Sequence, residues 1–140
     1  MSRYSDYGGD DNPISLCWEG NILRILHVKA SQPKLRDFVS SLLAIPNRRL
    51  IAGSICKGGE VCAVGAFAAY RGKLDKSRDW EGDEWETREL GTYAGLGSML
   101  SYELGYMNDE EFYRLTPEER WERFYRWARD LVKWNLPVPA

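Results

Sequence analysis

Histidine is nearly missing from this chain of 140 residues: His27 is the only one. Imidazole is the ordinary side chain that exchanges a proton near neutral pH, so an acid–base site built on several histidines is excluded. His27 lies inside the apolar run NILRILHVK, the setting of a packed, hydrogen-bonded histidine. Cysteine is scarce too, with three residues. An odd count suits a reducing cytosol better than a disulfide-stapled secreted scaffold. Cys56 and Cys62 flank a turn, but no second pair stands at ligand spacing, which argues against structural zinc. No apolar run approaches the roughly 20 residues that a membrane span needs. The opening MSRYSDYGGDDNP is polar and acidic, unlike a signal peptide. Positive charge is in no excess: 19 basic residues stand against 21 acidic, for a net charge of −2. Nucleic-acid binding, which draws on a basic excess to displace counterions, is disfavoured. Gly91, Gly95 and Gly97 form no phosphate loop, because no GK[ST] follows and no strand precedes them. No cofactor and no metal are expected.

What the chain does contain is a globular composition, 44% apolar and 29% charged, with six tryptophans. Its length fits one domain that buries a core without staples. Residues 1–13 read as a flexible arm, with Tyr4 and Tyr7 able to dock, and 14–140 as a single helical domain. A helix is expected near 18–29. Another starts at Pro33, carries Leu35, Phe38, Val39, Leu42 and Leu43 at helical spacing, and stops at Pro46. Gly58-Gly59, between Ile55-Cys56 and Val61-Cys62, signals a hairpin. CAVGAFAAY then reads as a buried helix ending at Gly72, with an Ala and Gly face that lets another backbone come close. Residues 73–91 are highly charged and read as a long loop with one helical turn, carrying Trp80 and Trp85. A weaker helix is expected over 92–106, loosened by its glycines. The last helix has the strongest signal: Thr116 as cap, Pro117 at the first position and Glu119 closing a capping box. Its pairs Glu119–Arg123 and Glu122–Arg126 stand at i,i+4. The expected fold is mainly α: a compact single domain of about five helices with one short β-hairpin near residues 54–62.

Two places merit a chemical reading. Cys62 at the mouth of a helix is placed for a depressed pKa and nucleophilic attack, yet VCAVGAF around it is the environment of an inert, packed thiol. Asn108-Asp109-Glu110-Glu111 gathers three carboxylates and an amide without the spacing of a calcium loop. Capping is the simpler role, with Asn108 or Asp109 accepting backbone N–H bonds.

The charges are unevenly spread. Residues 21–60 hold seven basic groups (Arg24, Lys29, Lys34, Arg36, Arg48, Arg49, Lys57) against two acids, and acids cluster from Asp75 to Glu89. The simplest expectation is two solvated faces that interact with each other. On the last helix Trp121, Phe124, Tyr125, Ala128, Leu131 and Val132 form one stripe. Trp127 and Trp134 lie together on its flank, with Arg120 and Arg123 on the same side. A wide buried face would account for them. So would a partner-binding patch, Trp and Arg being enriched in hot spots, and Arg48 and Arg49 would then steer an acidic partner.

Val61–Phe67 (VCAVGAF), Tyr106–Glu111 (YMNDEE) and Thr116–Trp127 (TPEERWERFYRW) resemble small proteins of tailed-phage genomes. Those carry a "CAxGA" helix start, an "ND" after a later helix and a closing "TPEERW" helix. The resemblance implies a phage or mobile-element origin and no particular activity. It leads to the expectation of a non-enzymatic accessory factor that acts in the host cytosol by occupying a host protein, for example as an anti-defence or transcription-modulating inhibitor. A virion or assembly component, with the arm ordered against a neighbour in a homo-oligomer, is the second expectation. A small enzyme using Cys62 or the Asn108–Glu111 cluster is the third.

Overall fold

The computed structural model describes residues 32–135, with side chains through Val132. The helix expected near 18–29, His27 and the 1–13 arm lie outside the described residues. Within them the chain runs α1 (Gln32–Leu43), β1 (Cys56–Lys57), β2 (Glu60–Val61), α2 (Ala63–Tyr70), α3 (Glu84–Ala94) and α4 (Ser98–Tyr106). A π-helical turn (Met107–Glu111) and α5 (Pro117–Asn135) complete it. Among the described residues, five α-helices and one two-stranded antiparallel hairpin make the mainly α architecture that the sequence implies.

Local chemistry explains most boundaries. Gly58 and Gly59 both have positive φ (60° and 81°), as a two-residue hairpin turn of type I′ needs, and they set Cys56 opposite Val61. At the end of α2, Gly72 takes φ 72° while its N–H bonds the Ala69 carbonyl and the Lys73 N–H bonds that of Ala68. This is the paired-bond motif that glycine allows at a helix end. In α5 the Thr116 Oγ1 accepts from the Glu119 N–H and the Glu119 carboxylate accepts from the Thr116 N–H, closing the expected capping box.

Residues 73–91 depart from the expected loop. Asp83 and Glu86 form a reciprocal capping box, and α3 follows at once. Its inward positions are Thr87, Leu90, Gly91 and Ala94, of which Leu90 alone is a large apolar residue, so the helical pattern is faint to a hydrophobicity reading. The single helix expected over 92–106 is split. Gly95 (φ 108°) ends α3 and Gly97 (φ 86°) begins α4.

The core is where the helices meet. Phe38 of α1, Phe124 of α5 and Phe67 of α2 are fully buried. The Phe124 ring takes Phe38 and Phe112 edge-on, at centroid distances of 5.9 and 5.0 Å. Gly65 of α2 brings its backbone against the hairpin, where an added Cβ would lie 2.6 Å from the Ile55 carbonyl oxygen. The close approach expected of this helix is therefore real.

Candidate protein-binding surface

The residues singled out on the last helix separate in space. Arg120 is buried at 3% exposure. Its guanidinium donates to the carbonyls of Leu50 (2.6 Å), Tyr113 (3.0 Å) and Leu115 (2.9 Å), tying the segment before the hairpin to the turn that enters α5. Burial lowers its pKa. This overturns its place in a surface patch: a cation one turn along from a cap faces inward here because three carbonyls need a donor. Trp127 is half-buried against the core, edge-on to Phe124 at 6.4 Å. The side chain of Trp134 lies outside the described residues. Arg123 is exposed, its guanidinium 5.9 Å from the Phe112 ring. Arg48 stacks over Trp121 at 5.1 Å. Arg49 bonds Glu60 of β2 at 2.7 Å and also Glu118 at the start of α5, so its charge is answered within the chain. Those two acids raise its pKa.

Cys62 is the N-cap of α2, where its sulfur accepts from the Gly65 N–H at 3.3 Å. It is 4% exposed, and burial pushes its thiol up to about 12. Desolvation outweighs the helix N-terminus, so the thiol stays protonated and the depressed pKa that a nucleophile needs does not arise. Asn108 does accept a backbone N–H bond, from Ala63 at 3.0 Å, so it caps the start of α2 from a segment 45 residues away. Its amide donates to the Ile51 carbonyl and to Asp109, which in turn accepts from Gly53 N–H. Among the described residues no group of three His, Cys, Asp or Glu is placed to hold a metal ion.

The described parts of the two charge clusters do not answer each other. Among the described residues no ion pair joins a base of 34–57 to an acid of 75–89. Lys34 instead donates to the Leu96 carbonyl.

What the sequence reading passed over is the outer face of α3. Trp85 is 63% exposed and Tyr93 is 68% exposed. They stand eight residues apart with Glu89 midway, so at 100° per residue the three form one row along the helix, opposite its buried Thr87, Leu90, Gly91 and Ala94. Lys73 lies over the Tyr93 ring at 5.0 Å. Glu84, next to Trp85, lines a cleft of about 260 Å³ with Thr87, Tyr102, Asp109 and Glu110, which continues the acidic surface to the π-helical turn. The Asp83-x-x-Glu86 box, which encloses Trp85, would have located this helix. Its small inward residues concealed it.

No protein-family model, no curated protein and no solved structure matches this chain.

Proposed function

We propose that the chain is a protein-binding accessory factor that acts by occupying another protein, and that the Trp85–Glu89–Tyr93 row of α3 is its contact surface. The carrying observation is the exposure of two large aromatic residues in register on one rigid helix. Tryptophan and tyrosine are the residue types that most often anchor interfaces, and leaving them in water is otherwise unfavourable. The high pKa and burial of Cys62 favour this reading over thiol catalysis. The phage-like motifs at Val61–Phe67, Tyr106–Glu111 and Thr116–Trp127 suggest a bacterial host protein as the target and the host cytosol as the setting.

A photo-crosslinking amino acid at position 85, and separately at position 130, tests the assignment in bacterial cells. Position 85 should yield one adduct of defined mass that position 130 does not. The partner so identified should then bind the Trp85→Ala variant at least about 2 kcal/mol more weakly, the usual hot-spot threshold. Identical adducts from both positions, or unchanged affinity, would remove α3 from the interface.

A further inference from the structure

We infer that the surface docking on α3 is basic, presenting lysine or arginine side chains among apolar ones. This deepens the reading of the α3 row as a contact face and rests on it. The segment from Asp75 to Glu89 holds seven acids and three bases. Four of those acids are committed inside the chain. Asp75 accepts from Ser77, Asp79 from the Gly58 N–H, Asp83 from the Glu86 N–H, and Glu86 from Asp83 and Trp80. The carboxylates of the other three, Glu81, Glu84 and Glu89, make no hydrogen bond or ion pair with any described residue. The nearby cations do not neutralise them, since Lys73 lies over Tyr93 and Arg88 over Tyr102 at 4.9 Å.

Glu89 decides the chemistry of the partner. It stands in the middle of the row, one turn from Trp85 and one turn from Tyr93, so whatever covers both rings also covers its carboxylate. An apolar or acidic surface would strip water from that charge and return nothing, whereas a cation opposite it replaces the lost hydration with a charge-assisted bond. Glu81 and Glu84 at one end of the row add attraction over longer range and favour fast, salt-sensitive encounter.

The probe is a fluorescein-labelled, 18-residue lysine–leucine amphipathic helix, with its glutamate–leucine counterpart as control, followed by anisotropy on the full chain. The lysine peptide should bind saturably and the glutamate peptide should not. Affinity should fall at least about tenfold in Glu89→Lys but change little in Asp130→Lys, which makes the same charge change on α5. If Glu89→Lys and Asp130→Lys behave alike, or if both peptides bind equally or neither binds, the basic-partner inference is overturned. If the lysine peptide binds but Trp85→Ala and Tyr93→Ala leave it untouched, the row itself is the wrong surface. Self-association that Trp85→Ala abolishes, or a crosslink from position 85 into residues 1–31, would show that a second copy or the chain's own N-terminal segment covers α3, and would overturn the inference as well.

Discussion

Asn108 shows how much a single buried amide can hold. Its Oδ1 takes the Ala63 N–H, its Nδ2 serves the Ile51 carbonyl, and the residue is 1% exposed. Truncation to Ala leaves a buried donor and a buried acceptor without partners, each costing about 1–3 kcal/mol. Asn108→Ala should therefore lower the urea midpoint by the equivalent of about 2 kcal/mol or more, without altering the denaturant slope. Cys62 makes a different prediction. The native state keeps its proton far above the ordinary thiol pKa, so its contribution to stability is complete below about pH 9. That contribution is lost as pH rises from there towards 12. Between these limits the unfolding free energy of the wild type should fall more steeply with pH than that of Cys62→Ala, by up to about 1.4 kcal/mol per pH unit, the value of one proton. Parallel curves would mean that the thiol is not shielded from water. The capping role of Asn108 was legible in the sequence as a polar residue beside a helix end. Which helix it caps was not, because the contact is with Ala63, 45 residues away.

At the scale of elements, glycine decides where helices touch and where they stop. A Cβ at Gly91 would lie 2.6 Å from the Ser101 Cβ of α4, and one at Gly65 equally close to the Ile55 carbonyl oxygen. Both sites should resist alanine even though alanine favours helix. Gly65→Ala meets backbone, which cannot swing aside, and should cost about 1–3 kcal/mol as other overpacked substitutions do. Gly91→Ala should be relieved by Ser101→Gly in the double variant, and thermal melts of the four proteins would measure that coupling. The hairpin, α1, α2 and α5 were legible because each carries its own punctuation: Gly58-Gly59, Pro33, Gly72 and the Thr116–Glu119 box. The boundary between α3 and α4 was not. Gly91, Gly95 and Gly97 look alike in sequence, yet Gly91 packs inside a helix while Gly95 and Gly97 take positive φ between two. Only the packing of α3 on α4 separates the two roles.

Over the whole molecule, aromatic residues divide between interior and surface in a way that helical periodicity alone did not settle. Trp121 and Trp127 both sit on α5. Trp121 is 2% exposed, stacks on Tyr125 at 5.0 Å and donates its indole N–H to the Leu42 carbonyl at the end of α1. Trp127 is half-buried on Phe124. Trp85, by contrast, projects from α3 with nearly two-thirds of its surface in water. Removing a core ring leaves a cavity, and removing an exposed one does not. Trp121→Ala should therefore lose about 3–5 kcal/mol of folding stability, in line with large-to-small core changes, and Trp127→Ala a smaller but clear part of that. Trp85→Ala should stay within about 0.5 kcal/mol of the wild type, as surface substitutions do. Urea unfolding of the three single variants, followed by far-UV circular dichroism, gives this order directly. A stable Trp127→Ala protein would restore the flank of α5 as a binding face, and an unstable Trp85→Ala protein would make the α3 row part of the fold rather than a surface for a partner.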